Sequence, residues 1–551
     1  MNEAARIGAL LDISFNIAIV RPKERTARQR VGRDMLRTIT LCLVAAIVAL
    51  VGTHLVFRPP SLEGRTVSHA VEASTKNALG RIALTPPDGR AGDSGVTPLL
   101  EGTDAFAARI ALIRKAEVAL DVQYYIWQRD ATGLILLDEL RRAAERGVRV
   151  RLLLDDNGIF GLDGDLAALD ALPNVEVRLF NPFILRSPKW VGYAFDFVRL
   201  NRRMHNKSLT ADGALSIVGG RNIGDIYFGM GEGAHYIDTD VLVAGKVASE
   251  VGAEFDRYWA SASAHPAERI LDAAAAGALA ALVADAGAAA DSPEGQLYIE
   301  RLRRGTIIDA LRSGSIALEW TTATLVSDDP AKGIGRAEFR DLLFPRLLEL
   351  LAQPGHSVDL VSSYFIPGRQ FTEALASLAR SGKRVRILTN SLAATDVTIV
   401  HSAYVKYRLA LLQGGVELYE LKPGFAANDQ DRPPDGVGGS SRASLHSKTM
   451  AVDERRIFIG SFNFDPRSVR LNTEMGVLVE SERIAAGLSR SFATAFPAMS
   501  YRPGLNEDGS IYWEETTAGG ETIRHQDEPG VTLFSRIAFS VLELLPIEWL
   551  L

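Results

Sequence analysis

Two stretches of the chain carry residue types that can do acid, base and nucleophilic chemistry at matched spacing. They are His205-Asn206-Lys207 followed by Asp212, and His446-Ser447-Lys448 followed by Asp453, so each reads H-x-K-x-x-x-x-D. Asn222 follows Gly219 and Gly220 in the first copy, and Asn463 follows Gly460 and Ser461 at the same offset in the second. One such pattern arises by chance; two in step point to a functional pair. On a strand, positions i and i+2 share a side, so each histidine projects with its lysine. Two imidazoles, two ammonium groups and two amides around one point form a cradle for a phosphodiester. One histidine can attack phosphorus while the other protonates the leaving oxygen and then deprotonates the incoming alcohol or water.

A histidine in this role needs its second ring nitrogen held by a carboxylate. Asp238 and Glu474 stand three residues before Val241-Leu242-Val243 and Val477-Leu478-Val479, equivalent places that nominate them as orienters, with Asp240 a rival for Asp238. Asp212 and Asp453 fall where a tight turn is expected and are assigned to structure, holding that turn or tying it to a neighbour. The chemistry calls for no metal and no cofactor. Cys42 is the sole cysteine and the nine histidines form no ligand cluster, so the sequence offers no disulfide and no Cys-based zinc site.

The elements that position these residues repeat as well. Val118 to Ile126 reads as a strand, Gly133 to Arg146 as a helix, and Val148 to Leu154 as a strand entering Asp155-Asp156-Asn157. Val358 to Phe365, Gln370 to Arg380 and Arg384 to Leu388 repeat that order. Asn174 to Val177, Pro182, His205 and Asn222 match Gly415 to Leu418, Pro423, His446 and Asn463 at one constant offset, which marks an internal duplication. The expected fold is α/β: two similar sandwich halves related by a pseudo-twofold, with one shared central site. An Ala-rich helix over Ile270 to Ala290 is expected between them.

At 551 residues the chain exceeds one ordinary core. We expect a basic segment and anchor over 1–60, a linker over 61–95, a first half over 96–295, a second over 296–505 and an apolar tail over 506–551. Arg21, Lys23, Arg25, Arg28, Arg30, Arg33 and Arg37 precede the uncharged stretch Thr38 to Phe57, which is long enough to cross a bilayer as a helix. The positive-inside rule puts everything after residue 60 across the membrane. Met35 is an alternative start, which would make residues 1–20 dispensable. A net charge of −6 argues against a sequence-independent nucleic-acid binder, and none is expected as a partner.

The paired H-x-K-x4-D resembles the mark of the phospholipase D superfamily over roughly residues 97 to 500. More narrowly, Gln123-Tyr124-Tyr125-Ile126-Trp127, Ser362 to Pro367, Asn390 to Asp396, His401 to Tyr404, Gly415 to Glu420 and Leu545 to Glu548 resemble the bacterial cardiolipin synthases of the C type. That resemblance implies transfer of a phosphatidyl group between phospholipids through a phosphohistidine, with His205 as nucleophile and His446 as acid and base. It further implies phosphatidylglycerol as substrate, with or without phosphatidylethanolamine, at the bacterial inner membrane with the catalytic region on the periplasmic side. A hydrolase of the same superfamily is the alternative. Tyr364, Tyr404 and His401 either line a lipid pocket or pack.

Overall fold

The computed structural model describes residues 22–531 except 87–91, 232–234, 305, 352–353, 424–442 and 518. Val531 apart, the apolar tail from residue 531 onward lies outside the described residues, as does the basic segment before residue 22.

The helix Pro22–Val56 belongs to a separate unit that also takes in Ala194–Asp196. Within it Met35–Thr53 has a mean hydropathy of 2.2 and buries none of its residues, so it is long and apolar enough to cross a membrane.

Among the described residues the remainder of the chain builds two large sheets, whose strands run in the same spatial order, and one two-stranded pairing. In the first, Ser94–Leu99, Asp240–Gly245, Leu215–Gly219, Ser208–Ala211, Ala119–Ile126, Arg149–Gly158 and Val175–Phe180 lie side by side. The second lines up Ala323–Ser327, Met475–Glu480, Arg456–Gly460, Lys448–Val452, Ser357–Ser362, Arg384–Asn390 and Glu417–Leu421. The duplication expected from the constant offset is therefore a duplication of topology. In each half three adjacent strands are parallel and buried along their middles, as apolar runs such as Val150 to Leu154 require, because helices cover the sheet. Ala131–Glu145 and Gly368–Arg380 are those covering helices, each between two parallel strands.

Three segments differ from expectation. Residues 61–95 do more than link: Arg151 donates to the Ser68 carbonyl at 2.9 Å, Arg178 to the Thr66 carbonyl at 2.7 Å, and Asp256 accepts from the Ala70 amide at 2.9 Å. Buried arginines on the first sheet thus need this strap to satisfy their donors. The Ala-rich helix begins at Ala278, not Ile270, because Gly277 takes a left-handed φ of 80° at its start. Beyond residue 506, Ile511–Thr516 and Thr522–His525 extend the second sheet as a hairpin, since their alternating side chains give it one buried face at Trp513.

The motif aspartates pin the turns between neighbouring strands. Asp212 and Asp453 adopt left-handed φ values of 53° and 56°. Asp212 accepts from the backbone amides of Glu117, Val118 and Ala119 at 3.0, 2.8 and 3.0 Å. Asp453 accepts from Gly355, His356 and Ser357 at 2.6, 2.7 and 3.0 Å. Each carboxylate therefore fixes where the central strand of its half begins. Asp212 is fully buried, whereas Asp453 is only partly buried and water can replace the lost acceptor there. Asp212→Ala is expected to lower stability by about 3 kcal/mol and Asp453→Ala by about 1 kcal/mol, read from chemical denaturation midpoints.

Candidate active site

The two halves exchange partners at the histidines. His205 lies just before the Ser208–Ala211 strand, and its backbone amide donates to the Thr473 carbonyl of the other half at 2.8 Å. Symmetrically, the His446 amide donates to the Ile237 carbonyl at 2.8 Å, beside a short parallel pairing of Ala443–Leu445 with His235–Ile237. Thr473 and Ile237 immediately precede Glu474 and Asp238. The backbone crossing consequently delivers each carboxylate to the histidine of the opposite half. His205 Nδ1 stands 2.8 Å from Glu474 Oε2, and His446 Nδ1 stands 2.6 Å from Asp238 Oδ2. With Nδ1 taken, Nε2 of each ring is left for chemistry. Asp240, the rival, is committed elsewhere: its Oδ2 pairs with buried Arg109 at 2.8 Å.

Strand ends hold the residue before each histidine. Asp155 accepts from the Met204 amide at 2.7 Å and from Arg203 Nε at 2.9 Å. In the matching place Asn390 accepts from the Leu445 amide at 2.8 Å and donates to its carbonyl at 2.9 Å.

The lysines sit under the same backbone. Lys207 Nζ donates to the His205 carbonyl at 2.6 Å, and Lys448 Nζ donates to the His446 carbonyl and to Ser363 Oγ at 3.1 Å. The amides are not equivalent. Asn222 accepts from the Ile126 amide at 3.1 Å and donates to Tyr227 Oη at 3.0 Å, so both its ends serve the protein. Asn463 accepts from Ser363 Oγ at 3.0 Å. Asn222 thus ties a strand end to a tyrosine and keeps a second Nδ2 hydrogen beyond that bond.

Burial sets the protonation states. His205 is held well below its ordinary pKa, first by burial and then by Lys207, Lys448 and His446. His446 is also lowered by burial and by Lys448, while Asp238 pulls the other way. Burial pushes Glu474 up to about 7. Asp238 feels the same burial, yet His446 and Lys448 bring it below its usual range, so it stays ionised. His205 thus faces a carboxyl that is only partly charged and stays neutral, whereas His446 faces a full negative charge that offsets part of the lowering imposed by burial and Lys448. Burial also lowers Lys207 to about 7 and Lys448 to about 8.

Two serines to which the sequence reading gave no role oppose the effect of burial on Glu474, each lowering its pKa by donating to the carboxylate. Ser461 Oγ donates to Glu474 Oε2 at 2.5 Å and Ser468 Oγ to Glu474 Oε1 at 2.9 Å. Where the second half has Ser461 the first has Gly220, because a Cβ there would meet Asp238 Oδ1 at 2.1 Å. The signal was present in the sequence: a Gly/Ser difference at one offset accompanies the Asp/Glu difference between the carboxylates. His401 and Tyr404 pack, bonding Glu528 at 2.6 Å and Glu420 at 2.9 Å.

Comparison with known proteins agrees with this geometry. The family described as cardiolipin synthase, PLD-like domain, matches residues 110–259 and 347–495, one block in each half. Cardiolipin synthase C of Escherichia coli (strain K12) is 45% identical over 462 residues, covering 84% of this chain and 97% of that protein. Cardiolipin synthase 2 of Staphylococcus epidermidis is 25% identical over 410 residues, covering 73% and 67%. The crystal structure of phosphatidylserine synthase from Haemophilus influenzae Rd KW20 shares the fold, with a TM-score of 0.51 at 15% identity over 86% of this chain and 100% of that one. The chain belongs to the cardiolipin synthase family built on PLD-like domains.

Proposed function

We propose that this chain is a membrane-anchored phosphatidyltransferase that makes cardiolipin through a phosphohistidine on His205. The crossed His205–Glu474 and His446–Asp238 pairs carry the reading, because they give two imidazoles unlike electrostatic settings at one site. Neutral His205 Nε2 attacks phosphorus of the donor lipid, and the bond from phosphorus to the headgroup oxygen breaks. His446 gives its Nε2 proton to that oxygen and the headgroup leaves as an alcohol. A hydroxyl of phosphatidylglycerol then loses its proton to His446, its oxygen attacks phosphorus, the phosphorus–nitrogen bond breaks, and His205 is restored. Lys207 and Lys448 balance the charge of the phosphoryl oxygens.

The apolar helix is read as the anchor, with its basic flank on the cytoplasmic side and the catalytic region on the periplasmic side of the inner membrane. Phosphatidylglycerol is the proposed acceptor, and it or phosphatidylethanolamine the donor. Purified full-length protein in mixed micelles of phosphatidylglycerol, with or without phosphatidylethanolamine, is expected to form cardiolipin seen by lipid mass spectrometry. Release of phosphatidic acid instead would assign a hydrolase.

The lysines set a pH limit. Below their pKa values of about 7 and about 8 both ammonium groups are charged; as pH rises through that window the charge, and with it phosphate binding, is lost. We expect kcat/KM to fall on the alkaline side from about pH 7 to 8, as Lys207 and then Lys448 lose their charge. At saturating lipid, bound phosphate holds the ammonium groups protonated and the alkaline limb of kcat moves to higher pH. A kcat/KM profile flat through pH 9 would contradict this assignment.

A further inference from the structure

The two flanks of the site differ in charge. Beside His446 stand the rings of Tyr236 and Tyr227, with centroids 5.0 and 5.2 Å from the imidazole and 5.0 Å from each other. Tyr236 Oη, from the first half, donates to Asp396 Oδ2 at 2.8 Å. Tyr364 Oη, from the second half, donates to the same oxygen at 2.9 Å. Asp396 is exposed, and among the described residues it pairs with no lysine, arginine or histidine. Beside His205 the tyrosines meet an amide in place of an exposed carboxylate. There the Tyr125 ring lies 5.0 Å from the imidazole, and Asn157 joins Tyr125 Oη at 3.4 Å to Tyr193 Oη at 3.2 Å. Asp155, whose charge acts on Tyr125, is buried against Arg203.

In-line attack by His205 expels the headgroup on the opposite face of phosphorus, the side on which His446 stands. Resting on the transferase reading above, we propose that Asp396, framed by Tyr227, Tyr236 and Tyr364, is a headgroup subsite that selects donor lipids bearing an ammonium group. An ammonium receives a charge-assisted hydrogen bond from the carboxylate and electrostatic attraction from the ring faces, whereas a neutral polyol receives only an ordinary hydrogen bond. The subsite also answers a problem posed by Lys207 and Lys448. These cations attract the phosphate but repel an ammonium nearby, so a zwitterionic headgroup needs a separate negative charge on its leaving side. The amino alcohol departs with a proton from His446 and the phosphatidyl group stays on His205, so no further reactant is required.

The experiment compares full-length wild type with Asp396→Asn, Tyr364→Phe and Tyr236→Phe. Labelled phosphatidylethanolamine or labelled phosphatidylglycerol serves as donor in detergent micelles, with unlabelled phosphatidylglycerol as acceptor. Asp396→Asn is expected to lower the ratio of kcat/KM for the ethanolamine donor over the glycerol donor by about tenfold or more. The two phenylalanine variants, which keep the charge and the rings, should hold that ratio within about threefold of wild type. An equal loss with both donors in Asp396→Asn would overturn the proposal and leave Asp396 as a clamp for two tyrosines. A parallel titration with phosphoethanolamine and glycerol 3-phosphate, by calorimetry, needs no turnover. A preference for phosphoethanolamine that Asp396→Asn abolishes supports the subsite even if no transfer occurs, in which case only the transferase reading falls. No such preference in a protein that does transfer overturns the subsite alone.

Discussion

A His446→Ala variant given a phosphatidyl donor with a nitrophenol leaving group will accumulate phosphorus on His205, while His205→Ala will bind none and will lose turnover of natural lipids by at least ~10⁴-fold. Formation of the intermediate requires a neutral nucleophile and a protonated leaving group. Burial and two neighbouring ammonium groups keep His205 neutral, so removing His446 leaves that nucleophile in place. A nitrophenolate departs without a proton, which makes the acid dispensable for the first step only. The second step still needs a base to deprotonate the acceptor, so the phosphoryl group stays on His205. A phosphorus–nitrogen bond survives alkali and is cleaved by acid. Radiolabelled donor, an alkaline quench and peptide mapping therefore locate it, and label on His446 in the His205→Ala protein would reverse the two roles.

The duplicated H-x-K-x4-D was legible because it is local: a short spacing recurs at a constant offset, although both histidines stand just before their strands and not on them. The order of strands followed from the same repetition, and both sheets carry it. The sequence could nominate Asp238 and Glu474 from their equivalent places before two strands. It could not show which histidine each serves, because that choice is made by the Ile237–His446 and Thr473–His205 backbone contacts across the pseudo-twofold. Ser461 stood in the sequence as a Gly/Ser difference, but its role could not be read from there for a related reason. Its value depends on Glu474 reaching it from a separate strand, just as the need for Gly220 depends on Asp238 filling the same space. The strap over residues 61–95 looked like a linker because its polar residues contribute backbone carbonyls, whose partners are arginines far along the chain.

The crossing has a functional signature. Glu474→Gln is expected to reduce turnover ~10³ to 10⁴-fold and to resemble loss of His205, although Glu474 belongs to the second half. Glu474 accepts from His205, Ser461 and Ser468, and a glutamine has a single carbonyl oxygen for those donors. Its amide nitrogen placed toward His205 would force the proton onto Nε2 and remove the attacking lone pair. Asp238→Asn, from the first half, should instead resemble loss of His446, since it removes the charge that supports imidazolium there. A nitrophenol donor separates the two cases: the first step should recover in Asp238→Asn, where the missing acid is no longer needed, and remain lost in Glu474→Gln, where the nucleophile itself is impaired. Recovery of that step in Glu474→Gln would mean that each carboxylate serves the histidine of its own half during catalysis, contrary to the 2.8 and 2.6 Å contacts that join them across the interface.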